Sequence, residues 1–122
     1  MKKILIVEDE LAYITLLRNT FAKDYKVFTA RNGKEGLVTA RKERPDLILL
    51  DLKMPVMDGL AMLAELRKDQ HGKKVQVVLL TNLEPTSQVI QQLVKDQPTY
   101  YWVKSDIALD KVITEVRALL ST

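Results

Sequence analysis

The chain has 122 residues, of which 47% are hydrophobic and 29% charged, a balance typical of one folded globular domain that excludes a disordered chain. It has no cysteine, which excludes a disulfide framework and a thiolate metal site. No apolar run approaches the ~20 residues of a membrane span, so we expect a cytoplasmic protein without membrane contact. The net charge of +3 comes from cations scattered along the chain without interleaved aromatic residues, and we predict no direct binding of nucleic acid.

Short apolar runs alternate with amphipathic segments along the whole chain. Leu11, Ile14, Leu17 and Phe21 form one stripe at helical spacing, and we expect that stripe to face the core. The predicted elements are, in order, strand Lys3–Val7, helix Glu10–Lys23, strand Lys26–Ala30, helix Lys34–Glu43, strand Leu47–Leu50, helix Asp58–Gln70, strand Val75–Leu80, helix Ser87–Val94, strand Tyr100–Val103 and helix Leu109–Leu120.

Five strand–helix units in succession predict an α/β fold with a parallel sheet covered by helices on both faces. Three of the strands are almost uninterrupted apolar runs, as is typical of parallel strands that are buried on both sides. No linker or internal repeat interrupts the pattern, so we predict a single domain over residues 1–122.

Polar residues stand where the predicted strands end. Glu8 and Asp9 follow the first strand, Asp51 the third, Thr81 the fourth and Lys104 the fifth. Ligand sites in open α/β sheets lie beyond the carboxyl ends of the strands, so we expect these side chains to converge on one edge of the sheet. Each residue alone is typical of a turn, a helix cap or a solvated charge, but together they favour a functional site.

This set of side chains suits phosphoryl chemistry. Clustered carboxylates repel one another unless a hard cation joins them, and Mg²⁺ prefers such oxygen ligands. A carboxylate beside that cation can attack a phosphoryl group and form an aspartyl phosphate. A lysine and a hydroxyl can then neutralise charge on the phosphoryl oxygens.

Several motifs match a known family. They are Ile6-Val7-Glu8-Asp9-Glu10, Pro45-Asp46-Leu47-Ile48-Leu49-Leu50-Asp51-Leu52-Lys53-Met54-Pro55, Met57-Asp58-Gly59, Thr81 and Tyr101-Trp102-Val103-Lys104. With these motifs the chain resembles the receiver domain of bacterial response regulators, the phosphoacceptor of two-component signal transduction, over essentially its whole length. The resemblance implies a flavodoxin-like (βα)5 fold, in which a doubly wound five-stranded sheet has the order 2-1-3-4-5.

The resemblance also implies a role for each site residue. Asp51 would accept a phosphoryl group from a phosphohistidine, and the protein would not be an enzyme. Asp9, Asp51 and the backbone carbonyl of Lys53 would hold Mg²⁺, with Glu8 acting mainly through water. The remaining implied roles are phosphoryl contacts by Thr81 and Lys104 and a switch formed by Thr81 and Tyr101.

The implied partners are proteins. A sensor histidine kinase or a phosphotransfer protein would supply the phosphoryl group, and a downstream effector or a missing output domain would read it. Receiver domains often form homodimers through the fourth and fifth helices and the fifth strand, and the resemblance extends that expectation to this chain.

The sequence departs from the family pattern at several positions. Ser105 replaces the usual proline after Lys104, and we expect a trans bond there because a cis non-proline bond costs ~3–4 kcal/mol. Asn82 replaces a small residue, and Leu83, which cannot orient water, predicts slow self-dephosphorylation. The fourth helix lacks the glycine that best forms a left-handed C-cap.

Other interpretations stay open at this point. The chain fits a stand-alone receiver or the receiver part of a longer regulator. A degenerate receiver that serves only for docking is a further alternative, although Asp9, Asp51, Thr81 and Lys104 are all present. An Asp-nucleophile phosphohydrolase needs a second aspartate where Lys53 stands. His71 stands alone in a polar stretch, and we predict a loop residue without a partner.

Overall fold

The computed structural model describes residues 1–121 and contains five strand–helix units. The elements are β1 (Lys3–Val7), α1 (Leu11–Phe21), β2 (Lys26–Ala30), α2 (Gly33–Glu43), β3 (Leu47–Leu50), α3 (Gly59–Leu66), β4 (Gln76–Thr81), α4 (Ser87–Leu93), β5 (Tyr100–Val103) and α5 (Leu109–Leu120). All strand pairs are parallel, and the sheet order is β2-β1-β3-β4-β5. The predicted doubly wound α/β fold is confirmed.

The sheet separates two apolar cores. One lies under α2, α3 and α4, the other under α1 and α5, and alternate residues of the central strands point into each. All four residues of β3 are buried, which explains why its sequence is an unbroken apolar run. Because β3 is the middle strand, this packing fixes the position of the residue that follows it, Asp51.

Side chains cap the helices that border the carboxyl edge of the sheet. Asn32 accepts a hydrogen bond of 2.9 Å from the Glu35 N–H at the start of α2. Asp58 accepts one of 2.9 Å from the Ala61 N–H at the start of α3, as its sequence position predicts. Thr86 caps α4 in the same way.

Several predicted boundaries and one predicted core residue were wrong. Helix α3 ends at Leu66 instead of Gln70, because the chain turns after it and the Arg67 side chain bonds to backbone carbonyls of two loops. Helix α1 ends at Phe21, whose carbonyl accepts from the N–H of Tyr25 in the turn that leads to β2. Leu11 is 60% exposed, because it lies in the first turn of α1, beyond the edge of the core.

The turn after α4 contains a left-handed residue although no glycine is present to form it. Gln97 adopts φ 43°, the left-handed conformation that glycine usually supplies. The Arg67 guanidinium donates to the Gln97 carbonyl at 3.1 Å and to the Asp96 carbonyl at 2.8 Å. These bonds fix a turn that the local sequence disfavours.

The Lys104–Ser105 peptide bond is trans, as predicted. No helix within residues 1–121 has the length and apolar character needed to cross a bilayer.

Candidate phosphoryl and metal site

The side chains that follow the strands meet at one edge of the sheet. Thr81 is the last residue of β4; Glu8, Asp51 and Lys104 directly follow their strands, and Asp9 comes one residue later. They line a cleft of about 450 Å³ whose walls are Glu8, Asp9, Glu10, Asp51, Lys53, Thr81, Asn82, Leu83, Glu84 and Lys104. The structure thus brings together all five residues that the sequence placed at this edge.

Three carboxylates form the floor of the cleft. Oxygen atoms of Glu8, Asp9 and Asp51 all lie within 4.8 Å of one another. Glu8 is 3% exposed and Asp51 6% exposed, so both charges are largely removed from water. Hard oxygen ligands at this spacing fit a divalent cation such as Mg²⁺, which would compensate their mutual repulsion.

Backbone contacts hold Asp51 in place. Its N–H donates to the Val7 carbonyl at 3.0 Å, and its carboxylate accepts from the Lys53 N–H at 3.3 Å. The Gly59 N–H donates to the Leu52 carbonyl at 2.9 Å. A side chain at Gly59 would collide with the backbone of Asp51 and Leu52, so a glycine is required for this close approach.

Lys104 neutralises part of the negative charge. Its ammonium donates to Glu8 and lies 3.7 Å from Asp51 Oδ2. Burial raises the pKa of Glu8 to about 7, although the hydrogen bond from Lys104 opposes this increase. Burial also lowers the pKa of Lys104, but its bond to Glu8 and the charge of Asp51 outweigh burial, so that pKa is raised.

Thr81 and Tyr101 are linked through the backbone of Leu83. The Thr81 hydroxyl accepts from the Leu83 N–H at 3.2 Å, and the Tyr101 hydroxyl donates to the Leu83 carbonyl at 2.6 Å. Thr81 is fully buried, and Tyr101 packs against the core under α4. Burial raises the pKa of Tyr101, so its hydroxyl stays protonated and remains a donor at neutral pH.

Comparison with known proteins decides the family. Residues 4–117 match the response regulator receiver domain. The chain belongs to this family. Receiver domains are the phosphoacceptors of two-component signal transduction, and they are generally not classed as enzymes.

The similarity extends to individual receiver proteins. The chain is 41% identical over 81 residues to sporulation initiation phosphotransferase F of Bacillus subtilis, a match that covers 66% of this chain and 64% of that protein. It is 28% identical to the chemotaxis response regulator CheY4 of Vibrio cholerae, with a TM-score of 0.85 and 98% of each chain covered. It is 27% identical to the Mn²⁺-bound form of response regulator Rcp1, with a TM-score of 0.79. That match covers 99% of this chain and 93% of the Rcp1 chain.

The matched region is only part of many relatives. It spans 64% of the length of the phosphotransferase and 29% of the length of a matched transcriptional regulator from the same organism.

Three features of this receiver domain were not predicted from the sequence. The Tyr13 ring centroid lies 4.4 Å from the Lys104 ammonium, and the Leu83 backbone joins the two residues proposed as a switch. His71 lies in a turn, as predicted, but the prediction that it has no partner was wrong, because its Nε2 lies 2.9 Å from the Pro45 carbonyl oxygen. The only sequence signal for the contact between Tyr13 and Lys104 was the presence of an aromatic residue one helical turn after Asp9.

Proposed function

We propose that Asp51 is the phosphoryl acceptor of this receiver domain, which we take to extend over residues 1–122. The observation that supports this proposal most strongly is the position of the Asp51 carboxylate. It is buried at the end of the central strand, its oxygens lie within 4.8 Å of two further carboxylates, and Lys104 is 3.7 Å away. A carboxylate in such surroundings is suited to act as a nucleophile toward phosphorus.

The transfer forms one bond and breaks another. An Asp51 oxygen attacks the phosphorus of a phosphohistidine, and a P–O bond forms as the P–N bond breaks. The electron pair of the P–N bond returns to the leaving imidazole nitrogen. The positive charge of Lys104 stabilises the charge that is spread over the phosphoryl oxygens.

The acidic cluster would hold Mg²⁺ during this reaction. Asp9, Asp51 and the Lys53 backbone carbonyl would be the direct ligands, and Glu8 would act through water. The similar response regulator Rcp1 has a Mn²⁺-bound form, which supports the binding of a divalent cation by a protein of this fold. The ion would supply charge neutralisation between the carboxylates and the incoming phosphoryl group.

Thr81 is suited to sense the phosphoryl group. Its hydroxyl accepts from the Leu83 N–H and therefore still has its own proton to donate to a phosphoryl oxygen. Movement of Thr81 toward that oxygen would pull on Leu83, to which Tyr101 is bonded. Thr81 and Tyr101 would in this way convert phosphorylation into a change of the α4–β5 surface. The protein would already exist in two conformations, and phosphorylation could shift the equilibrium only by the difference in its interaction free energy with the two.

Protein partners would act on either side of this switch. A sensor histidine kinase or a phosphotransfer protein would supply the phosphoryl group. An effector protein, an output domain outside this sequence or a second copy of the chain would read the surface near Tyr101, where Ile90, Val94 and Tyr100 are exposed. The domain would be a signalling acceptor and not an enzyme, with slow self-dephosphorylation because Leu83 cannot orient water.

Intact mass after incubation with Mg²⁺ and acetyl phosphate tests the proposal. We expect the gain of one phosphoryl group, lost when Mg²⁺ is omitted and in Asp51→Asn. Asp46→Asn is a matched control, because Asp46 is exposed and precedes the same strand. An unphosphorylated wild-type protein that also fails to bind fluoroberyllate, a phosphoryl mimic, would contradict the proposal and favour a docking module.

A further inference from the structure

The ring of Tyr13 faces the ammonium of Lys104. Tyr13 lies in the first turn of α1, and its ring centroid is 4.4 Å from Lys104 Nζ. This distance is well within the ~6 Å over which an ammonium is attracted to the face of an aromatic ring. The Lys104 side chain is 10% exposed, so little water screens the contact.

Lys104 benefits from such support because its side chain extends away from β5 to a partner on a strand that is not adjacent. Lys104 follows β5 at one edge, whereas its partner Glu8 follows β1, and β3 and β4 lie between these two strands. The lysine stem has four rotatable bonds and no preferred direction of its own. Asp51 Oδ2, at 3.7 Å, is too distant to hold the ammonium by a hydrogen bond.

The contacts of the ammonium differ in how they respond to a bound cation. A divalent ion at the carboxylates would compete with Lys104 for Glu8 and for Asp51, because it binds the same oxygens. The ring of Tyr13 has no charge and is not a ligand for a hard, hydrated ion. It can therefore keep the ammonium in place when the carboxylates are engaged elsewhere.

We infer that Tyr13 is a positioning residue whose ring face holds the Lys104 ammonium beside Asp51. The inference rests on the proposed function, because that proposal assigns Lys104 a contact with the phosphoryl group. The hydroxyl of Tyr13 makes no hydrogen bond to another residue within the described part of the chain. The contact with the Lys104 ammonium is therefore made by the ring alone. Tyr13→Phe should keep the contact, whereas Tyr13→Leu, which is apolar but has no ring, should lose it.

A first measurement addresses the contact without phosphorylation. An aromatic ring shifts the NMR signals of protons that lie over its face to high field. We expect the ε-methylene signals of Lys104 to be shifted in this way in wild type and in Tyr13→Phe, and to return to ordinary positions in Tyr13→Leu. Unshifted signals in the wild type would overturn the inference whether or not Asp51 is phosphorylated.

A second measurement addresses the effect on the site. Binding of fluoroberyllate with Mg²⁺ is followed by the fluorescence of Trp102, the single tryptophan. We expect the Kd to rise about 2- to 30-fold in Tyr13→Leu, the ratio that corresponds to a cation–π contact of about 0.5–2 kcal/mol, and to change less than about 2-fold in Tyr13→Phe. Urea unfolding of each variant shows whether the fold is retained.

A double mutant separates positioning from a general structural role. In a Lys104→Met background, Tyr13→Leu should have no further effect on fluoroberyllate binding. An equal effect of Tyr13→Leu with and without Lys104 would overturn the inference. Wild-type protein that does not bind fluoroberyllate would contradict the proposed function instead, and the NMR measurement would still decide the role of Tyr13.

Discussion

The Tyr101 hydroxyl donates a hydrogen bond of 2.6 Å to the carbonyl oxygen of Leu83. The N–H of the same Leu83 donates to the hydroxyl of Thr81, so one residue of the β4–α4 loop connects the two side chains proposed to form the switch. This loop holds the Tyr101 side chain against the core under α4. We therefore expect a displacement of Leu83 to break or weaken the hydrogen bond of Tyr101.

Removal of the Tyr101 hydroxyl tests this connection. We expect Tyr101→Phe to lower the free energy of unfolding by about 0.5–1.5 kcal/mol, because the Leu83 carbonyl loses its partner while the ring stays packed. The measurement is urea denaturation followed by Trp102 fluorescence. Tyr100→Phe is the matched control, since Tyr100 is exposed on the same strand, and it should change stability by less than about 0.5 kcal/mol. Equal effects of the two substitutions would contradict the prediction.

Glu8 makes the metal-free protein sensitive to pH. Its pKa is about 7 in the folded protein and 4.5 in an ordinary environment, so between these values the native state holds a proton that the unfolded chain has lost. The free energy of unfolding contributed by this group is therefore highest below pH 4.5 and falls as the pH rises to about 7. Urea denaturation without Mg²⁺ should show this fall, and Glu8→Gln should remove it.

Mg²⁺ affinity should have the opposite dependence on pH. A cation favours the ionised carboxylate, so we expect the affinity at about pH 6 to be weaker than at about pH 8 by as much as about tenfold. Glu8→Gln should make the affinity insensitive to pH in this range. His71→Gln should leave the dependence intact, because His71 contacts Pro45 at the opposite end of the sheet. An unchanged pH dependence in Glu8→Gln would show that another group is responsible.

Arg67 stabilises two loops at once. Its guanidinium donates to four backbone carbonyls, at 2.7 Å to Gly72 and Val75, 2.8 Å to Asp96 and 3.1 Å to Gln97. We expect Arg67→Lys to lower the free energy of unfolding by about 2–4 kcal/mol, because a single ammonium cannot span these acceptors.

The control for Arg67 is its neighbour Lys68. Lys68 forms an exposed ion pair with Glu65, and Lys68→Ala should change stability by less than about 1 kcal/mol. Both variants would be compared by urea denaturation. An Arg67→Lys protein as stable as Lys68→Ala would show that water replaces the guanidinium at these carbonyls.

The side chain of Leu83 predicts a long-lived phosphoryl group. It lines the cleft and packs against the core, and it offers no donor or acceptor to orient an attacking water molecule. We expect a half-life of minutes or longer for the phosphorylated protein, measured by intact mass after removal of the phosphodonor. Leu83→Gln should shorten the half-life, and Leu83→Met, which adds no polar group, should leave it unchanged. A half-life of seconds in the unaltered protein would contradict this prediction.

The sequence predicted the strands best because their signal is local. Runs of buried apolar residues mark β1 and β3 within the chain itself, and the residues that follow them reach the same edge of any parallel sheet. The end of α3 was predicted wrongly because it depends on Arg67, whose partners Asp96 and Gln97 lie 29 and 30 positions away. A helical pattern in the sequence carries no information about such distant acceptors.

The contacts within the site were harder to predict for a similar reason. Glu8 and Lys104 are 96 positions apart, and only the folded sheet shows that the ammonium reaches both Glu8 and the ring of Tyr13. The link between Thr81 and Tyr101 uses backbone atoms of Leu83, which every residue except proline possesses. Residue type therefore predicted the members of the site but not their connections.

Identification of the phosphorylated residue tests the central proposal most directly. Borohydride reduces an aspartyl phosphate to homoserine, so the protein would be treated with Mg²⁺ and acetyl phosphate, reduced and digested with trypsin. We predict homoserine at Asp51 in the peptide that spans residues 43–53, with Asp46 in the same peptide unchanged. Homoserine at Asp9 or Asp46, or its absence from a protein whose mass has increased by one phosphoryl group, would contradict the assignment of Asp51 as the acceptor.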